Sequence, residues 1–343
     1  MWWLALLLGA CVGSDQADSP TEPGDTDTMV EEPRTTWMVV AGTFDDGGMC
    51  CKSDHTGCDL YLIEYDLSNY VVLDVTRLTD ADGADTSPAI EPERRYVLYQ
   101  REQDRPPAIH YVSLETLDNE VLVEDGLQAY VSLDGTLMAY RSEGGPDNRD
   151  VHLRSISFDD NVVNLGAVEE LTDNGQSTEP MIFTNNDHVA LYQKTGEVHD
   201  GQTIVHGLGD SSVYEFSEPG GGCAHGSVNY EGSRLFCQQG MELHSRTLTN
   251  DGWSEMEVFP YPDPEDPTFA GCDQVTAGHA EFCGDSEHVL AVYSCKMGED
   301  VVVAHTMLFQ WGGPVLARIT DQVEEFLGVE GAQSYTGMCT LAQ

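Results

Sequence analysis

A chain of 343 residues that is 40% hydrophobic can bury the core of one large β domain or of two ordinary ones. It sets 15 basic against 60 acidic side chains, a formal net charge of -45, and a field of that sign repels nucleic acid and anionic lipid, which excludes the phosphate-binding classes. Its only lysines are Lys52, Lys194 and Lys296, so the surface suits either salty, cation-rich surroundings or simple solubility.

The first element is the apolar run MWWLALLLGAC, which ends in Leu8-Gly9-Ala10-Cys11. It resembles the lipobox of bacterial lipoproteins, which implies a signal peptide over residues 1–10 and a lipid on Cys11. Two features depart from that pattern: no basic residue precedes the run, and the run is short for a signal segment. Residues 11–35 are acidic, rich in Pro, Thr and Asp and poor in large apolar side chains, and they read as a disordered tether. No later stretch approaches the roughly 20 apolar residues of a membrane span. The expected location is the bacterial cell envelope, lipid-anchored on a periplasmic face or at the cell surface. The cysteines fit that compartment. Beyond Cys11 there are nine, none in the paired CxxC spacing of a zinc ribbon, and an exported chain holds such residues as disulfides. Cys50 or Cys51 with Cys58 would staple a local hairpin.

From residue 36 onward one unit recurs. A polar residue and a proline or its substitute lead into a turn, then an apolar strand ending in an aromatic, then an alternating strand. SPAIEPERRYVLY is followed by IHYVSL, and QAYVSLDGTLMAY by DVHLRSI. EPMIFTNNDHVALY, AHGSVNYEGSRLFC and GHAEFCGDSEHVLAVY each continue in the same way. Turns near residues 94, 135, 187, 232 and 286 give spacings of 41, 52, 45 and 54. Units of about 40–50 residues with four short strands each mark the blades of a β-propeller. No long stretch keeps a 3.6-residue apolar period, so little helix is expected. The fold class is all-β, a single β-propeller over residues 36–343 with about six four-stranded blades.

The turns before "hydrophobic-x-Tyr", and the closing phrases RLTDADG (77–83), ELTDNGQ (170–176) and RITDQ (318–322), resemble the repeats of TolB-type β-propellers. That resemblance covers residues 36–343 and implies a module that binds envelope partners. Only Ser132-Leu-Asp-Gly135 comes near the full turn, with Leu133 in place of the proline. The chain enters at TTWMVVAGTF, a second strand lacking its first, and leaves at GAQSYTGMCTLA, a lone strand. Pairing the N- and C-terminal strands would close the ring and leave no open sheet edge. Closure would set Cys339 beside the strand leading to Cys50 and Cys51, and Cys223–Cys237 and Cys283–Cys295 could link neighbouring strands.

Asp80, Asp82 and Asp85 lie in the loop before an innermost strand. They read first as turn chemistry, since Asp and Gly favour such turns for backbone reasons, and second as a calcium loop, although EF-hand spacing is absent. Residues before the repeat's proline, namely Ser87, Gln128, Glu179, His225 and His279, with Gln333 as the sixth, should point at the ring axis from equivalent heights. Of these, His225, His279, Glu179 and Gln128 could hold a divalent metal such as Mn or Zn. The set resembles in kind the His-and-Gln site of oligogalacturonate lyases, with two histidines where those have three; the other reading is a polar, water-filled channel lining. His110, His152, His206, His244 and His305 recur at one place in the third strands and read as structural. His55, among Cys51, Asp54 and Cys58, reads as part of a disulfide-tied hairpin. There is no Gly-x-Ser-x-Gly elbow, P-loop or hydrolase half. The leading expectation is therefore a lipid-anchored, non-catalytic module that binds an envelope protein or a glycan. The alternatives are a metal-dependent polysaccharide lyase or hydrolase at the channel mouth, and a calcium-stabilised surface protein.

Overall fold

The computed structural model describes residues 34–44, 57–80, 83–101, 106–142, 150–173, 178–185, 187–194, 201–209, 213–215, 224–229, 231–239, 242–249, 252–259, 269–283, 285–298, 300–331 and 333–341. Cys11, Cys50, Cys51, His55, Asp82 and Cys223, on which several expectations rest, lie outside them.

Almost every described element is a strand. The first sheet holds β1 (Thr35–Thr43), β2 (Asp59–Asp66) and β3 (Val71–Arg77), and the second holds β4 (Asp85–Ile90), β5 (Tyr96–Arg101), β6 (Ala108–Ser113) and β7 (Asn119–Glu124). The third is β8 (Gly126–Val131), β9 (Leu137–Ser142), β10 (Val151–Asp159) and β11 (Val162–Glu170). The fourth is β12 (Thr178–Asn185), β13 (His188–Lys194), β14 (Gly201–Gly207) and β15 (Val213–Glu215). The fifth is β16 (Ala224–Val228), β17 (Arg234–Gln239), β18 (Glu242–Thr249) and β19 (Gly252–Trp253), with β20 (Glu257–Val258) also on β18. The sixth is β21 (Gln274–Phe282), β22 (His288–Met297), β23 (Asp300–Gln310) and β24 (Val315–Arg318), after which come α1 (Ile319–Leu327) and β25 (Gln333–Leu341).

β25 returns to the first sheet and pairs antiparallel with β1, Thr36 opposite Leu341 and Met38 opposite Cys339. The innermost strands β25, β4, β8, β12, β16 and β21 touch in a cycle that comes back to β25. Packing explains the sequence rhythm. In β1, Val39 and Ala41 join a core with Val97 and Tyr99 of the second sheet, while Met38 and Val40 join one with Leu290 and Leu308 of the sixth. A sheet wedged between two others buries both faces, so its middle strands read as apolar runs rather than as alternation. The same holds around the ring. In the fifth-to-sixth core, Phe236 packs at 4.8 Å from Phe259, 4.9 Å from Phe282 and 4.7 Å from Trp311, centroid to centroid.

The closing phrase of the repeat has a mechanical cause. Thr79 Oγ1 accepts a hydrogen bond from the Leu60 N–H at 2.9 Å and lies 3.4 Å from Asp59 Oδ1. Thr172 does the same for Val151 (2.9 Å) and Asp150 (3.1 Å), and Thr320 accepts from the Thr306 N–H at 2.8 Å. The leucine beside each of the first two threonines donates its own N–H to a carbonyl of the third strand, Leu78 to Leu60 and Leu171 to Val151. One hydroxyl thus meets a third-strand N–H that the sheet ladder leaves free.

One expectation is corrected. Cys295 pairs with Cys272, Cα–Cα 5.5 Å, rather than with Cys283. Cys283 sits at the tight end of the β21–β22 hairpin, its N–H on the His288 carbonyl, whereas Cys295 lies opposite Val275 at the far end, and strand rise keeps those two ends apart. Cys58, Cys237 and Cys283 are disulfide-bonded as well. α1 begins within the RITDQ closing phrase and is a short helix in an otherwise β fold. It buries Ile319, Thr320 and Val323 and ends at Gly328, whose left-handed backbone (φ 70) lets its N–H cap the Glu324 carbonyl.

Candidate functional site: the ring axis

Four innermost strands break their ladder at one structural position. In β4, Thr86 lies opposite Gln100 and Ala89 opposite Leu98, so Ser87-Pro88 bulges out. In β8 the bulge is Gln128-Ala129, in β16 His225-Gly226, and in β21 His279-Ala280. Ser87 and Gln128 adopt left-handed backbones, φ 49 and 47. Such a conformation costs a non-glycine residue about 1–2 kcal/mol, and bulges of this sort re-aim side chains at barrel rims and sites. Register thus brings Ser87, Gln128, His225 and His279 to equivalent places. Glu179 stays in its ladder opposite Tyr192, and Gln333 pairs with Thr43, short of the irregularity that follows Ser334. Those two are not at the bulge. Gln128 Oε1 is buried and has no hydrogen-bond partner.

One step beyond the bulge lies a set that sequence reading missed. The residues that resume the ladder are Ala89, Tyr130, Ser227 and Glu281. The Tyr130 hydroxyl, from the third sheet, makes a long hydrogen bond of 3.5 Å to Glu281 Oε1 in the sixth, the sheet opposite in the ring. Burial pushes the Glu281 carboxyl up to about 8, only partly offset by Ser227 and Tyr130, so most of it is protonated at pH 7. Glu281 is 9% exposed; its Oε2 and the Ser227 Oγ lack hydrogen bonds of normal geometry. The one available signal was the repeat register shifted by two residues.

The recurrent histidines are in the third strands: His110 in β6, His152 in β10, His206 in β14, His244 in β18 and His305 in β23. His110 stacks on Tyr99 at 5.2 Å, His152 meets Tyr140 edge-on at 5.4 Å, and His305 bonds Asp321 at 3.1 Å. Each of these contacts stays within its own sheet or the adjoining helix.

Of the proposed calcium residues, Asp80 is exposed and pairs with Arg77 at 3.0 Å. Asp85 is fully buried in β4 and receives both Arg101 Nε (2.8 Å) and Nη2 (3.1 Å). Both carboxylates therefore already have a cationic partner. A contrasting cluster follows from the repeat. In the first sheet Arg77 bridges Asp59 and Asp80. In the third sheet Glu170 occupies the equivalent place, before Leu171, and Asp150, Glu170 and Asp173 bring carboxylate oxygens within 4.8 Å of one another. Glu170→Arg should reproduce the first-sheet bridge and raise stability by up to about 1 kcal/mol, the ceiling for exposed charges. Urea unfolding measures it, and an unchanged or lowered midpoint refutes the repulsion.

No protein-family model matches this sequence, and no curated protein matches it. Solved structures do match. TolB from Acinetobacter baumannii superposes with a TM-score of 0.59 at 14% identity, covering 90% of this chain and 66% of its own. A putative TolB from Agrobacterium tumefaciens gives 0.54 at 10% identity, covering 84% and 89%. A chain of a nidogen/laminin complex gives 0.56 at 8% identity, covering 90% and 99%. At such identities the likeness is one of fold: this is a β-propeller, similar in fold to those of TolB.

Proposed function

We propose that this chain is a non-catalytic binding propeller of the bacterial cell envelope, held to a membrane by lipidated Cys11 and the tether that follows, and that its partner is a protein. One observation carries the reading. Between β3 and α1 lies a groove of about 290 Å³ lined by Val71, Val72, Gln322, Glu325 and Phe326. Val71 is 43% exposed and Phe326 47%, and Leu73 and Leu327 are exposed beside them. Apolar side chains gathered on a surface this acidic favour a partner with an apolar anchor and basic flanks. A glycan would ask instead for a polar, aromatic-floored groove. The TolB-type fold is compatible with such a role but does not identify the partner.

A photo-crosslinking amino acid at position 326 should capture a discrete partner in cells, while the same probe at Val162, exposed on β11, should not. Capture at both positions or at neither would sink the reading. Anchoring is tested separately: Cys11→Ser should move the protein from the membrane fraction to the soluble fraction, and persistence in membranes would remove the lipid anchor.

A further inference from the structure

We infer that Cys283 and Cys339 are bonded to one another, and that this disulfide locks the ring by tying its closing strand, β25, to the sixth sheet. Cys283 is disulfide-bonded, and its two nearest cysteines in sequence, Cys272 and Cys295, bond each other, so its partner comes from farther along the chain. Two contacts fix how β25 lies against the sixth sheet. Arg34, the residue before β1, pairs with Asp285 at 2.9 Å, so the tip of the β21–β22 hairpin, where Cys283 sits, is at the Thr36 end of β1. At the Gly42 end, Ser334 Oγ lies 2.5 Å from Thr306 Oγ1, and Thr306 is opposite Val292, well back from that tip. The last residues of β25, which pair with Thr36 to Met38, are therefore the ones beside Cys283.

Register also fixes the face. Residues directly opposite in an antiparallel ladder share one face of the sheet. Cys339 is opposite Met38, which belongs to the same core as Cys283, Leu290 and Leu308 of the sixth sheet. Its neighbour Met338 is opposite Val39, which faces the second sheet instead. Residue 339 thus combines the sixth-sheet face with the end of β25 where Cys283 lies. The other cysteines belong elsewhere. Cys237 is in the core between the fourth and fifth sheets, and Cys223 adjoins β16 of the fifth. Cys58 precedes Asp59, which pairs with Gly42 at the far end of β1, and Cys50 and Cys51 stand in the connection that leaves from that end. Forming the bond takes two protons and two electrons from two thiols. One thiolate attacks the disulfide of an oxidoreductase, and the second resolves the mixed disulfide, releasing the oxidoreductase as a dithiol. The bond forms only after β25 has docked, so it marks completed closure and confines the locked ring to an oxidising compartment. Cys283 is wholly buried, which shields the bond from reductants once it exists.

The test is a disulfide map of the full chain, folded under oxidising conditions, alkylated without reduction and cut with trypsin. Cleavage after Arg246, Lys296 and Arg318 puts Cys272, Cys283 and Cys295 on one peptide and Cys339 alone on another. The two peptides should run as one cross-linked species that separates on reduction, and fragmentation in the mass spectrometer should place the link between Cys283 and Cys339. An alkylated Cys339, or one joined to any other cysteine, would overturn the inference. The locking role is read from variants. Cys339→Ala and Cys283→Ala should each lower the Tm in non-reducing buffer by about 3–6 °C, the size expected for losing one disulfide from a chain of this length. If the link is mapped but both variants melt with the unaltered chain, the bond exists without locking the ring and that part of the inference fails.

Discussion

A chain ending at residue 332 should not fold cooperatively. The missing segment is β25, the innermost strand of the first sheet, and eight residues of β1 lie in register with it, from Thr36 opposite Leu341 to Thr43 opposite Gln333. Without it, β1 presents a row of unpaired backbone groups along the ring axis, and an apolar, two-faced edge of that kind templates aggregation. β25 also touches β4 on one side and β21 on the other, so its loss opens two of the contacts between innermost strands. Polar satisfaction goes with it. Ser334 Oγ sits 2.5 Å from Thr306 Oγ1 and 2.7 Å from Thr320 Oγ1, and it accepts from the Thr306 N–H at 2.9 Å, all of them buried. Thermal unfolding with size-exclusion chromatography tests this. A truncated monomer that melts as sharply as the full chain, at the same temperature, would show that the ring does not depend on its terminal closure.

That closure was legible in the sequence because it follows from counting: TTWMVVAGTF is a second strand without a first, and the last strand has no blade of its own. The strand rhythm was legible for a packing reason, since each sheet is covered on both sides and its middle strands must be apolar throughout. The Leu-Thr-Asp phrase was visible as a repeat, yet its cause was not, because the Thr79 hydroxyl bonds a residue 19 positions away in another strand. Register also decided the disulfide. Cys283 and Cys295 are closer in sequence than Cys272 and Cys295, but an antiparallel hairpin inverts that order, and only the pairing of Phe282 with Val289 reveals it. α1 escaped although Ile319, Val323, Phe326 and Leu327 fall at i, i+4, i+7 and i+8, because its nine residues are shorter than the window over which a helical period is read. At the axis, histidines drew attention as metal-type residues, while Glu281 was one acid among 60 until burial singled it out.

Replacing Asp85 by alanine should destabilise the fold by about 3 kcal/mol, the lower end of the range for breaking a buried pair from one side. Asp85 is wholly buried, while the Arg101 side chain keeps 21% of its surface, and that remaining access to water is the reason for the lower figure. The guanidinium lies 5.6 Å from the centre of the Tyr99 ring and donates to the Tyr99 hydroxyl at 3.1 Å, so it cannot swing freely into solvent once its carboxylate is gone. The pair joins β4 to β5 at a register position, Asp85 opposite Arg101, immediately before the Ser87-Pro88 bulge, which makes it the fastener at the foot of one axial strand. Arg101→Met in the same chain should recover much of the loss, because two uncharged groups leave no charge unpaired, and a double-mutant cycle would report strong coupling. The same experiment separates two readings of the Asp80–Asp85 loop. If Asp85 serves Arg101, urea midpoints of the parent and of Asp85→Ala should differ equally in calcium and in chelator. If calcium stabilises the parent but not the variant, Asp85 is a metal ligand and its arginine is secondary.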